Sequence, residues 1–121
     1  MRWLVLFHPA FDNEFNRLSE AVQNELLAHA KLLELFGPTL GRPRVDTLKG
    51  SRHANMKELR FDAEHGVWRV AFAFDPKRRA VLLIAGDKSG GSQQRFYREL
   101  VRVADARFDD HLANVKKEKK K

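Results

Sequence analysis

No cysteine occurs anywhere in this chain. That excludes a disulfide framework and any cysteine-ligated zinc site, and it fits a reducing compartment, the cytoplasm. Long apolar runs are missing too. The longest near the N-terminus, Trp3–Phe7, is cut by His8 and Pro9. It is too short for the apolar region of a signal peptide or for a membrane span, so no membrane partner is expected. There is no Walker-type glycine loop, no HExxH pair and no close His/Asp/Glu cluster along the chain. Nucleotide- and metal-dependent chemistry is therefore not expected, nor is a cofactor. No internal repeat appears, and the one biased segment is a run of lysines at the C-terminus. Acidic charge is the scarcer sign, with 16 Asp and Glu against 23 Lys and Arg, a net charge of +7.

What is present fits one domain. The length is 121 residues and 43% of them are hydrophobic, enough for a core of their own. The expected division is a single domain over residues 1–115 and a lysine-rich, disordered tail over 116–121. Five lysines and one glutamate give that tail +4 of the net charge. A basic chain favours polyanions: nucleic acid, the ribosome, or an acidic protein partner.

Hydrophobic periodicity predicts an α+β domain. Trp3–Phe7 (WLVLF) is apolar on both faces and reads as a strand that is central or covered by helices. Two helices, or one bent helix, follow over Ala10–Phe36. Ser19 is placed to cap the second, and Val22, Leu26, His29, Leu33 and Phe36 form its apolar stripe, with His29 a core histidine. Gly37-Pro38 ends it. Met56–Phe61, Val67–Phe74 and Ala80–Gly86 then read as a three-strand antiparallel meander. Ser92 caps a last helix running from Gln93 to about Val115.

The meander carries the candidate site. Side chains alternate along a strand, so Trp68, Val70, Phe72 and Phe74 share one face, while Val67, Arg69, Ala71 and Ala73 share the other. Leu59 and Phe61 join the apolar face, with Lys57 on that side; Met56, Glu58 and Arg60 take the second. Antiparallel pairing brings Arg60 and Arg69 together on a floor of small residues. Two guanidiniums there suit an anion with several oxygens, such as a phosphate. Tyr97, early in the last helix, is placed to reach the same cleft. The loop Gly37–Arg52 is rich in basic residues, and Arg44, Lys49 and Arg52, with Lys57, are candidate contacts to an RNA backbone.

The order of elements, together with LKG at Leu48–Gly50, KELRF at Lys57–Phe61, GVWRVAFAFD at Gly66–Asp75, VLLIAGDKS at Val81–Ser89 and QQRFY at the helix start, resembles the RelE/ParE superfamily. The likeness is nearest to the RelE/HigB-like toxins of bacterial type II toxin–antitoxin systems. The resemblance implies a RelE-like fold and a metal-independent endoribonuclease that cuts mRNA at the ribosome. It also implies an antitoxin protein as partner. It assigns the family's catalytic positions to Arg60, Arg69, Lys88 and Tyr97. RNA cleavage of this kind needs a base for the 2′-OH, positive charge for the phosphorane, and an acid for the leaving 5′ oxygen. His53, Glu58 and Asp87 are the candidate bases, with His53 taken into the catalytic set. Some relatives carry lysines where Met56 and Glu58 stand here, which leaves the base open. Two other functions fit the same fold: a ParE-like inhibitor that binds DNA gyrase and cuts nothing, or a nucleic-acid-binding relative without activity.

Overall fold

The computed structural model describes residues 2–119. Its elements, in order, are β1 (Leu4–Phe7), α1 (Pro9–Phe15), α2 (Glu20–Phe36), β2 (Val45–Thr47), β3 (Lys57–Ala63), β4 (Gly66–Phe74), β5 (Arg79–Asp87) and α3 (Gln93–Lys119). The strands form a single sheet of order β1-β5-β4-β3-β2. The expected meander is its centre, and all its neighbouring pairs are antiparallel. β1 joins parallel to β5, and between them the chain runs through the helical pair and β2–β4.

Two apolar clusters sandwich the sheet, and the alternation along β3 and β4 sorts residues between them. On one face Leu59, Phe61, Val70 and Phe72 pack against Phe11, Val22, Leu26, Ala30 and Leu33 of the helical pair. On the other, Met56, Ala71, Ala73, Val81 and Leu83 meet Leu100, Ala104 and Phe108 of α3. The small residues of β4 thus let α3 lie close to the sheet. Ser19 caps α2, its side chain accepting from the Val22 amide. His29 is a buried histidine, as expected, bonded through Nδ1 to the Glu25 carbonyl and stacked near Phe61.

Four features differ from the sequence expectation. β2 is an added strand within the Gly37–Arg52 segment, which reads as a loop because only three residues pair. β1 is an edge strand rather than a central one, and the helical pair covers one of its faces. Val5 and Phe7 pack inward, but Leu4 stays 64% exposed. Phe36 leaves the α2 stripe for solvent, since Gly37 at φ +54° ends the helix directly after it. α3 runs through Lys119, so Lys116–Lys119 of the expected disordered tail are helical, held in part by Glu118 against Lys77 and Arg79. Residues 120–121 of that tail lie outside the described residues.

Candidate active site

Pairing register builds the site. Arg60 of β3 stands directly opposite Arg69 of β4, and Glu58 opposite Ala71. Because Ala71 has almost no side chain, Glu58 can lean toward Arg69. The Arg69 Nε lies 3.6 Å from Glu58 Oε1 and donates to the Tyr97 hydroxyl at 3.3 Å, while Nη1 donates to the Trp68 carbonyl at 2.9 Å. The Tyr97 hydroxyl in turn donates to Glu58 Oε1 at 3.0 Å. Glu58 and Arg69 are both buried, 7% and 6% exposed. Arg69 therefore has internal partners besides any anion the site holds.

Lys88 completes the positive side. Its ammonium sits 5.9 Å from the centre of the Tyr97 ring. Burial, then the neighbouring charges of Arg69 and Arg60, hold its pKa below the ordinary lysine value, with Glu58 opposing. Tyr97 moves the other way: burial foremost raises its phenol pKa, the hydrogen bond from Arg69 opposes this, and nearby Glu58 adds to the rise. Arg60 is more open, its side chain 33% exposed, with Nη1 3.9 Å from Asp46 of β2. Its Nε is buried without a partner. Asp87 organises the loop that carries Lys88, its Oδ1 accepting from the Val67 and Ser89 amides and the Ser89 hydroxyl. A proton taken by Asp87 would cost those bonds, which sets it in a supporting role.

A cleft of about 370 Å³ opens beside this group, lined by Asp46, Thr47, Leu48, Lys49, Glu58 and Tyr97. The arrangement offers two guanidinium forks and an ammonium for an anion, with a carboxylate and a phenol at the same place.

The family model for phage-derived Gp49-like proteins (DUF891) matches residues 13–109, which span every site residue named so far. The chain belongs to that family. Two Mycobacterium tuberculosis relatives carry toxin names. "Putative toxin HigB3" is 41% identical over 110 residues, covering 91% of this chain and 94% of its own length. "Putative toxin HigB2" is 44% identical over 107 residues, 88% of this chain, but the chain spans only 53% of its length. Among solved structures, a mutant of the E. coli RelE toxin in the free state aligns with a TM-score of 0.55 over 84% of this chain and 95% of its own, at 12% identity. RelE in the RelE–RelB complex of Pyrococcus horikoshii aligns at 0.54 over 75% of this chain and 100% of its own, at 19% identity. At those identities the likeness carries the fold, which is RelE-like.

In this Gp49-like chain, the sequence-predicted residues divide into two groups. Arg60, Arg69, Lys88 and Tyr97 come together, with Glu58 among them. His53 does not join them. Its Nε2 bonds Asp109 at 2.8 Å and its ring packs edge-on against Phe108, far along α3 from Tyr97. The physical reason is the carboxylate row on α3: Asp105 binds the Ser51 hydroxyl and the Arg52 amide, and Asp109 pairs with Arg52 as well as His53. Arg52 is thereby spent on two aspartates. Lys57 falls on the helical-pair face of β3, opposite in parity to Arg60, as alternation requires. Lys49 lines the cleft, and Arg44 is exposed beside it, its carbonyl accepting the Arg60 amide at 2.8 Å. Asp46 is the cleft residue that sequence reasoning missed. Its one signal, an alternating VDT triplet, is too short to register as a strand.

Proposed function

We propose that this chain is the toxin of a type II toxin–antitoxin pair and acts as a metal-independent endoribonuclease on mRNA at the ribosome. The observation that carries this reading is the register pair Arg60–Arg69, with Lys88 beside it and Glu58 and Tyr97 within hydrogen-bond reach. In the cleavage step Glu58 takes the proton from a ribose 2′-OH. The 2′ oxygen attacks phosphorus, a 2′,3′-cyclic phosphodiester forms, and the bond from phosphorus to the 5′ oxygen breaks. Arg60 and Arg69 stabilise the charge that develops on the phosphorane oxygens. Lys88, with its lowered pKa, gives the leaving 5′ oxygen its proton. Tyr97, with its raised pKa, stays a phenol. It orients Glu58 and offers a ring face to a base. The toxin names of the mycobacterial relatives and the RelE-like fold support the same reading, and the RelE–RelB neighbour supports an antitoxin as partner.

Induced expression without an antitoxin tests it. Pulse labelling is expected to show protein synthesis failing first. Primer extension is expected to show new mRNA ends, and cleavage of ribosome-bound mRNA should leave 5′-hydroxyl products. DNA synthesis failing first, over intact mRNA, would replace this reading with the gyrase-binding one.

A further inference from the structure

The cleft beside Glu58 and Tyr97 has one wall that phosphate chemistry does not explain. Asp46 sits on the α3 side of β2, opposite Glu58 in register. A carboxylate there repels RNA phosphate and lies against a second carboxylate, a pairing that ordinarily destabilises a sheet. Asp46 is nevertheless held ionised. The Thr47 amide, foremost, keeps its pKa below the usual aspartate range; burial opposes this, and Arg42 and Arg60 add to the lowering. Oδ1 accepts the Thr47 amide at 2.8 Å and Oδ2 accepts Arg42 Nε at 3.1 Å. Arg60 Nη1 faces the same Oδ2 from 3.9 Å, beyond hydrogen-bond distance, so each oxygen keeps a free acceptor site, and the side chain is 28% exposed. Tyr97 and Lys49 line the same cleft.

We infer that this cleft is a nucleobase subsite in which Asp46 selects a base with adjacent N–H donors on its Watson–Crick edge, guanine foremost. The inference rests on the ribonuclease reading, for which this base would flank the phosphate held by Arg60 and Arg69. A fixed carboxylate with one free lone pair on each oxygen matches the parallel N1–H and N2–H donors of guanine. Uracil presents one N–H between two carbonyl oxygens, which the carboxylate repels. The base plane stacks on Tyr97, at a gain that does not depend on sequence, so discrimination falls to Asp46. A good bidentate contact of this kind discriminates by on the order of tenfold or more.

The test uses the whole chain and binding rather than cleavage. Backbone amide NMR shifts are followed while guanosine 3′-monophosphate or uridine 3′-monophosphate is added. The guanine nucleotide is expected to move the amides of Asp46, Thr47, Leu48 and Tyr97 with at least tenfold tighter affinity than the uracil nucleotide. Asp46→Asn, which keeps the shape of the side chain, is expected to remove that difference while both nucleotides still move Lys88. Equal affinity of both nucleotides in the parent, with shifts at Lys88 and Arg69 but none on β2, would overturn the subsite and leave the phosphate site standing. A uniform loss of both nucleotides in Asp46→Asn would instead make Asp46 a positioning residue for Arg60. No shift with either nucleotide would overturn the subsite and the phosphate reading together.

Discussion

Arg60 and Arg69 are register partners with opposite surroundings, and their substitutions separate chemistry from folding. Arg60 is one-third exposed, and its single ion partner lies 3.9 Å away. Arg60→Ala is expected to lower the cleavage rate by roughly 10²–10³ while the melting temperature stays close to the parent's. It also removes a positive neighbour of Lys88, so the Lys88 pKa rises. The alkaline limb of the rate profile, where the acid loses its proton, should therefore move to higher pH. Arg69 is different, because its removal leaves Glu58 buried with Tyr97 alone. Arg69→Ala is expected to cost about 3 kcal/mol of stability as well as activity. Arg69→Lys keeps the charge but not the fork. Thermal melting near the parent's, with activity still lost, would assign Arg69 to the chemistry as well as to the fold.

At the scale of elements, α3 is held in two ways along its length. Its first half packs through Phe96, Leu100 and Ala104. Its second half, though it keeps Phe108 and Val115 in the core, is tied down by charge. Asp110 meets His8, Arg107 meets Glu14 and the Leu83 carbonyl, and His111 meets Asp75. Asp75 is the hub, its side chain fully covered and bonded to Arg79 and His111 from the β4–β5 turn. Burial alone would raise its pKa. The hydrogen bonds from His111 and Arg79 outweigh that and lower it. A depressed carboxylate contributes stability above its unfolded pKa and loses it as pH falls through the folded value. Asp75→Ala is expected to cost about 3 kcal/mol by leaving Arg79 partly buried with only Glu118, 3.8 Å away, as its ion partner. Asp75→Asn should flatten the acid side of the stability curve, below the ordinary aspartate range. Denaturant unfolding at several pH values checks both. An unchanged acid slope in the Asn variant would show that the hub does not titrate with folding.

For the whole molecule, charge sets the partners. Of the net +7, the C-terminal lysine run carries +4; near the cleft stand Arg44, Lys49, Arg60 and Lys88, with Arg95 and Arg98 exposed on the first turns of α3. An antitoxin that neutralises this surface is expected to do so with an acidic or amphipathic element laid over the cleft. Coexpression should yield a stable complex whose association slows as salt rises, because exposed charge is screened within about 10 Å at 0.1 M. A partner that bound only the C-terminal lysines would contradict this. No helix among the described residues is long and apolar enough to cross a membrane.

The sequence by itself determined the meander, the two-faced sorting of its side chains and the helix caps at Ser19 and Ser92, because period, propensity and capping are local properties. It also determined that Arg60 and Arg69 share a face, since alternation and a tight turn leave no other register with the apolar residues buried. Tertiary structure decided the rest. The three residues of β2 pair only because β3 offers an edge, and with them comes Asp46. β1 became an edge strand because β5, whose other side is taken by β4, is its one partner among the described residues. His53 and Arg52 left the site because the aspartates of α3, more than fifty positions later in the chain, lie closer to them than the cleft does. Arg69 proved to be a buried, paired charge because its partners, Glu58 and Tyr97, come from two other elements. Contacts between groups distant in the chain have no local signature, so they appear only once the elements are packed.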